Sequence, residues 1–214
     1  MAVHQLTLPG GGDPALHDTA PFERTALDDQ SWVDVARGWM AGADSLLALF
    51  EATVEWKQGK RWMYERMVDD PRLSRWFPAG TTPPDPVLAA AKHALEQRYC
   101  VRLGSIGLNY YRDGSDSVAW HADKELRDVD DSLVAILTLG GPRPLLIRPK
   151  GKGRSRDFGP GSGDLLVMGG RCQVDWEHSV PKVRRAGPRM SCSWRWSRAV
   201  EKVRRAADRS AAKT

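Results

Sequence analysis

The chain has 214 residues, 41% hydrophobic and 28% charged, enough for one domain with a full core plus a smaller appendage. No apolar run approaches the roughly 18 residues of a membrane span. Cys100, Cys172 and Cys192 are odd in number and widely separated, which excludes a disulfide framework or zinc knuckle as the organising principle. The net charge of +5 is uneven: residues 182–214 hold eleven Lys or Arg against two acids, so that segment carries +9 and the remainder −4.

Met1 to Gly12 shows neither a basic n-region nor an apolar h-region, so a cytoplasmic location is expected. Residues 1–30 combine glycines, prolines and scattered acids with little apolar periodicity and are expected to form an irregular lead-in. From Trp32 to Ala52 the residues Trp32, Val35, Ala36, Trp39 and Met40, then Leu46, Leu47, Leu49 and Phe50 recur at helical spacing. One or two helices are expected there, with Asp44 as an N-cap. Trp56 to Trp76 mixes Trp62, Met63, Tyr64 and Met67 with six basic residues, and reads as a hairpin that turns at Gln58-Gly59. In Pro83-Pro-Asp-Pro86, Asp85 is placed to cap a helix that starts at Pro86, with Leu88, Ala91, Leu95 and Tyr99 on one face.

After that helix the pattern changes to short runs over 105–112, 132–139, 145–148, 164–168, 175–180 and 189–196, separated by Gly and Pro turns. This spacing indicates an all-β sandwich or jelly roll. Arg143, Arg148, Lys150, Lys152, Arg154 and Arg156 follow one another without an acid between them. They are expected to form a basic loop suited, like the C-terminal tail, to a polyanion such as nucleic acid.

The chemistry-bearing residues concentrate in the β-rich part. His121 and Asp123 stand two apart and His178 lies far downstream; two imidazoles and one carboxylate are the donors that hold non-haem Fe(II) on one face and leave other positions open. Taken singly, His121 and Asp123 also fit an exposed polar pair, and His178 a packed histidine. Alternation along a strand puts Arg189, Ser191, Ser193 and Arg195 on one face and Met190, Cys192, Trp194 and Trp196 on the other. The same count pairs Asn109 with Tyr111, beside Gly107. A polar lining of this kind inside a jelly roll calls for a bound polar ligand, and an arginine clamps a carboxylate through two parallel hydrogen bonds.

These residues resemble the AlkB family of iron- and 2-oxoglutarate-dependent dioxygenases. The resemblance is carried by Asn109-Tyr-Tyr-Arg-Asp-Gly-Ser-Asp-Ser-Val-Ala-Trp-His-Ala-Asp-Lys-Glu125, by Leu139-Gly-Gly-Pro-Arg143 with Arg148-Pro-Lys150, by Gly163-Asp-Leu-Leu-Val-Met-Gly-Gly170 through Trp176-Glu-His178, and by Gly187-Pro-Arg189-Met-Ser-Cys-Ser-Trp-Arg195. It covers roughly residues 105–197 and is patchy before them. It implies an α+β, mainly β fold: a double-stranded β-helix core with N-terminal helices and a nucleotide-recognition hairpin or lid. The expected organisation is an irregular 1–30, a helical and hairpin recognition region over 31–104, a dioxygenase core over 105–197 and a basic tail over 198–214.

The resemblance further implies that His121, Asp123 and His178 bind Fe(II) and that Asn109, Tyr111, Arg189 and Arg195 hold 2-oxoglutarate, with Ser191 and Ser193 on the same polar face. Arg189 is implied to take the distal carboxylate and Arg195 to sit nearer the iron-chelating end. Oxygen and 2-oxoglutarate are implied to yield succinate, carbon dioxide and an oxidant that hydroxylates an N-methyl group on a damaged base, after which formaldehyde is released. A base within a duplex must be flipped out, or come from a single strand, to reach such a site. The resemblance places Glu125 and Arg72 in the base pocket; Met63, Tyr64 and Trp76 are further substrate-binding candidates. DNA is the expected partner, with RNA or tRNA the alternative, and the protein is expected to act as a monomer away from membranes. One departure concerns substrate: many relatives have a Tyr-rich segment ending in Ser-Gly where this chain has only Trp76-Phe-Pro-Ala-Gly80. A hydroxylase of a protein or small molecule is therefore a competing reading.

Overall fold

The computed structural model describes residues 12–17, 19–63, 65–151, 153–197 and 201–202. In chain order the elements are β1 (Ala15–Leu16), β2 (Phe22–Ala26), β3 (Ser31–Ala36), β4 (Met40–Ala41), α1 (Ala43–Thr53), β5 (Lys57–Met63), β6 (Arg66–Phe77) and α2 (Pro86–Tyr99). There follow β7 (Ile106–Tyr111), β8 (Val118–His121), β9 (Ser132–Gly140), β10 (Leu146–Pro149), β11 (Arg156–Asp157), β12 (Leu165–Gly170), α3 (Cys172–Asp175), β13 (Trp176–Val180) and β14 (Arg189–Ser197). An eight-stranded sheet, ordered β2-β3-β12-β9-β14-β7-β6-β5, faces a four-stranded sheet, ordered β11-β10-β13-β8, and a small pair joins β1 to β4. This is a jelly roll with few helices.

Two apolar layers hold it. Val33, Val35, Val134, Ile136, Leu166 and Met168 of the large sheet meet Leu145, Ile147 and Trp176 on the small-sheet side. The opposite face of the large sheet, with Leu108, Leu137, Leu139, Met190, Cys192 and Trp194, is covered by Leu46 and Phe50 of α1 and Leu88, Ala91 and Leu95 of α2. Each fully buried aliphatic side chain in such a layer contributes about 1.5–3 kcal/mol. Strand β9 is buried along its whole length because its two faces belong to the two layers.

The helix at Pro86 forms as expected: the Asp85 carboxylate accepts the Val87 N–H at 2.8 Å, and Pro86 occupies the start of the helix. The six runs after it all become strands. Four expectations need correction. The lead-in over 1–30 is not irregular throughout, since β1 and β2 lie in it and β2 pairs with β3. The stretch from Trp32 to Ala52 is strand before it is helix: β3 is inserted between β2 and β12, both of its faces are covered, and the polar alternation that marks a half-exposed strand is missing. Helix α1 starts only at Ala43, capped by Gly42 in the left-handed region (φ 64°), and Asp44 lies in its first turn. A Cβ at Gly42 would lie 2.5 Å from the Gly12 carbonyl oxygen, so both conformation and space require glycine.

The hairpin over 56–76 is present as β5–β6, but Gln58-Gly59 lies inside β5 at a register irregularity, and the chain reverses between Met63 and Arg66. The hairpin extends the large sheet, because Ser74 pairs with Asn109 and Trp76 with Gly107. Strands from both sides of residue 104 therefore build one sheet. The basic tail lies outside the described residues apart from Glu201 and Lys202.

Candidate active site

Register between the sheets brings the metal-type donors together. Strand β13 pairs with β8 so that His178 stands directly opposite His121, and their ring centroids are 4.2 Å apart. Asp123 follows β8 by two residues. Ligand atoms of His121, Asp123 and His178 all lie within 4.8 Å of one another, close enough for a single ion to be held by the three. Nδ1–H of His121 donates to the Ala119 carbonyl at 2.9 Å, which fixes the ring and leaves Nε2 free to coordinate a metal. Burial, followed by repulsion from His121, pushes His178 down to about 3 despite the attraction of Asp123. It is held as the neutral imidazole that metal binding needs. Burial would raise Asp123, but the adjacent Arg195 guanidinium outweighs it and keeps the carboxyl below its ordinary value.

Arg195 grips Asp123 with two hydrogen bonds, Nε to Oδ2 at 2.9 Å and Nη2 to Oδ1 at 3.1 Å. Each carboxylate oxygen has a second lone pair, so this pairing aims the carboxylate without excluding a metal. Gln173 Oε1 accepts the Asp123 backbone N–H at 2.8 Å, anchoring the loop from α3.

The polar ladder forms as the alternation along β14 requires. Ser191 sits between Asn109 of β7 and Thr138 of β9, and Ser193 between Gly107 and Ile136. Arg189 is 0% exposed. Its Nη1 donates to Ser191 Oγ at 3.0 Å and its Nη2 to Thr138 Oγ1 at 3.2 Å, the Tyr111 ring centre lies 5.4 Å away, and Nε has no partner. Among the described residues no carboxylate pairs with it. Burial drives this guanidinium down from its ordinary value, and its interaction with Tyr111 offsets only part of that. Buried charge is stable only when paired, so this donor set fits an incoming carboxylate.

A cavity of about 730 Å³ opens onto these groups and is lined by Asn109, Tyr111, His121, Asp123, His178, Ser191, Ser193 and Arg195. Arg72, Trp76 and Glu125 line it too, so three of the five substrate-binding candidates reach the same space. Met63 ends β5; its side chain and the whole of Tyr64 lie outside the described residues. The Trp76 ring covers Gly107, where a Cβ would lie 3.3 Å from it, so glycine lets the ring lie close against the strand. Arg189 is not at the cavity surface. It is fully buried one alternation beyond Ser191 on the same face of β14.

Several contributors escape a reading by motif. Asp70 and Arg61 line the cavity as an ion pair at 2.7 Å; period-two counting back from Arg72 in β6 would have found Asp70. Thr138, the partner of Arg189, had no polar neighbours in sequence to announce it. The expected basic loop is a free cationic surface only in part: Arg154 and Arg156 are exposed, while three of its cations are tied into the fold. Arg143 is buried and donates to the carbonyls of Asp113, Asp116 and Pro181, Arg148 pairs with Glu177 at 2.6 Å, and Lys150 donates to the Gln173 carbonyl. These cations satisfy buried or half-buried acceptors, which a charge count cannot reveal. Lys152 lies outside the described residues.

Comparison with known proteins agrees with this geometry. The model of the 2OG-Fe(II) oxygenase superfamily matches residues 50–207. The chain is 30% identical over 176 residues to alpha-ketoglutarate-dependent dioxygenase alkB homolog 3 of Mus musculus, covering 72% of this chain and 61% of that protein. It is 34% identical over 118 residues to DNA oxidative demethylase ALKBH2 of Arabidopsis thaliana, covering 44% and 38%. Among solved structures, a prolyl hydroxylase of Trichoplax adhaerens in complex with a hypoxia inducible factor peptide fragment aligns with a TM-score of 0.59 at 11% identity, over 80% of this chain and 86% of that one. A 2OG-Fe(II) oxygenase family oxidoreductase of Burkholderia pseudomallei aligns with a TM-score of 0.51 at 15% identity, over 72% and 78%. At such identities the structural likeness speaks for the jelly roll alone. The chain belongs to the 2OG-Fe(II) oxygenase superfamily, and within it to the AlkB family. It spans 61% of the length of the alkB homolog 3 protein. The cofactor set of the superfamily is Fe(II), 2-oxoglutarate and oxygen.

Proposed function

We propose that this protein is an Fe(II)- and 2-oxoglutarate-dependent dioxygenase that oxidatively demethylates N-alkylated bases in DNA. The observation that carries the reading is Arg189: a wholly buried guanidinium with no carboxylate partner among the described residues, on the same strand face as the Arg195 that holds the carboxylate of a His-Asp-His set. Held at this site, iron with 2-oxoglutarate and oxygen would supply the oxidising power for N-methyl hydroxylation, with succinate, carbon dioxide and, from the unstable hydroxymethyl product, formaldehyde as the expected products. The rest of the task falls to the chain. His121, Asp123 and His178 hold the metal, and Arg195 fixes the carboxylate that binds it. Arg189, with Ser191, Thr138 and Tyr111 around it, takes the distal carboxylate of the dianion, while Asn109 and Ser193 line the path towards the metal.

A base reaches this cavity only when unstacked. Trp76, 50% exposed at the cavity wall, offers the flat apolar face on which a base stacks, and Glu125 at the mouth can accept hydrogen bonds from exocyclic amines. DNA is favoured as substrate because the plant relative is named a DNA oxidative demethylase.

The test is to incubate the protein with iron, 2-oxoglutarate, ascorbate and methylated single-stranded DNA, duplex DNA or RNA, and to measure formaldehyde. Release from DNA is expected to exceed release from RNA. Succinate formed without demethylation of any oligonucleotide would point to a protein or small-molecule hydroxylase instead, and demethylation confined to RNA would move the activity to that substrate.

A further inference from the structure

Arg72 lines the cavity beside Trp76, and its neighbours give it a task other than reading a base. Alternation along β6 sets Arg72, Ser74 and Trp76 on the inner face, and the pairing of Ser74 with Asn109 brings Arg72 alongside the start of the polar ladder. Its Nε–H donates to Oδ1 of Asn109 at 3.1 Å. Its Nη1 is buried without any hydrogen-bond partner. The nearest carboxylate on the strand, Asp70, is engaged by Arg61 at 2.7 Å, and among the described residues Arg72 forms no ion pair.

Two consequences follow from donor and acceptor chemistry alone. A guanidinium only donates, so the oxygen of the Asn109 side chain must face Arg72, and its NH2 group must then point elsewhere. Asn109 also lines the cavity, where such an NH2 can donate to an anion. Meanwhile a buried N–H without an acceptor is costly, and an anion on the ladder would relieve it. We infer that Arg72 is a positioning residue of the co-substrate pocket: through its bond to Oδ1 it orients the Asn109 amide as a donor to 2-oxoglutarate. This rests on the co-substrate reading proposed above, and it moves Arg72 out of the base pocket.

The experiment measures binding rather than turnover. The full chain is loaded with Mn(II) without oxygen, 2-oxoglutarate is titrated calorimetrically, and a methylated single-stranded oligonucleotide is titrated separately by fluorescence anisotropy. Wild type, Arg72→Gln, Asn109→Ala and the double variant are compared. Arg72→Gln is expected to weaken 2-oxoglutarate about tenfold, the scale of one charge-assisted hydrogen bond, and to change oligonucleotide affinity less than threefold. Because Arg72 acts through Asn109, the double variant should bind 2-oxoglutarate within about twofold of Asn109→Ala alone. Should Arg72→Gln fail to fold, Arg72→Lys carries the same comparison, since a lysine keeps the charge but loses the planar fork. Unchanged 2-oxoglutarate affinity with weakened oligonucleotide binding would return Arg72 to the base pocket, and losses that multiply in the double variant would refute the action through Asn109. A wild-type protein that binds no 2-oxoglutarate would instead bring down the underlying functional reading.

Discussion

Replacing Arg189 by methionine should make the protein a poorer binder and no less stable. The guanidinium is 0% exposed and, apart from its contact with Tyr111, touches two neutral hydroxyls, those of Ser191 and Thr138, with Nε left over. Desolvation of this charge is therefore incompletely repaid in the ligand-free protein. Replacing buried charge by an apolar side chain of similar volume is often stabilising by about 1–4 kcal/mol; taking ~1 kcal/mol after the loss of two hydroxyl contacts, the melting temperature should rise by about 2–4 °C for a chain of this size. Binding should move the other way. A carboxylate docked on two guanidinium N–H groups gains about 1.5–3 kcal/mol per bond, and truncating one side of such a buried pair costs roughly 2–5 kcal/mol. A loss of ~4 kcal/mol corresponds to about a thousandfold weaker 2-oxoglutarate binding. Calorimetric titration of the Mn(II)-loaded protein and a thermal melt read the two quantities on one sample. Affinity within threefold of wild type, or a melting temperature lowered by more than about 5 °C, would refute the assignment of Arg189 as a cation waiting for its partner.

Other substitutions separate the remaining parts of the site. His121→Ala and His178→Ala should each abolish tight Mn(II) binding, read by electron paramagnetic resonance, because the two rings face each other across β8 and β13. Trp76→Ala should weaken a methylated single-stranded oligonucleotide by about 1–3 kcal/mol, the value of one stacked base, with 2-oxoglutarate affinity unchanged. Asp85→Ala removes the carboxylate that accepts the Val87 N–H and should lower stability by ~1 kcal/mol in urea without touching either ligand, since α2 packs on the far face of the sheet. Acid should destabilise the fold through Asp116. Burial acts to raise this carboxyl, yet hydrogen bonds from Arg112 leave it below its ordinary value. Its stabilisation is therefore complete above the unfolded value of about 3.9 and fades as pH falls through the lower folded value. Asp116→Asn should flatten that part of the pH profile in urea melts.

What could be read from sequence follows the covering of each strand. In β14 the alternation of Arg and Ser with Met, Cys and Trp was legible because one face meets a polar cavity and the other the helix layer. In β3 both faces are covered, Val33 and Val35 by one layer and Ala36 by the other, and the apolar spacing then imitates a helix. Strand β8 escaped because four residues at a sheet edge leave too short a period to detect. His121, Asp123 and His178 were visible as residue types, but the opposition of His121 and His178 depends on pairing across more than fifty residues. The salt bridge between Asp123 and Arg195 spans a longer interval still. Arg143 shows the limit of charge counting: it looks like a member of a basic loop and is instead a buried tie between three carbonyls.

The difference between the two halves of the site has a structural cause. Strand β14 pairs without a break on both sides, with β7 and with β9, so a one-residue slip would turn Arg189 and Arg195 into the apolar layer beneath the helices and bring Met190 and Cys192 to the cavity. The residues proposed to hold metal and co-substrate are thus fixed by the same register that buries the core, and no small change can move one without unmaking the other. The hairpin has no such constraint. Strand β5 is an edge strand, its pairing with β6 is irregular between Gln58 and Lys60, and Trp62 and Met67 stand opposite each other near its turn, 68% and 56% exposed. Substitutions there cost little stability while changing what meets the cavity mouth. Substrate choice is therefore free to vary on the hairpin above a fixed oxidising centre, and exchanging residues 57–77 for those of another AlkB protein should alter oligonucleotide preference while leaving the 2-oxoglutarate affinity within a few-fold, provided Arg72, Ser74 and Trp76 are kept.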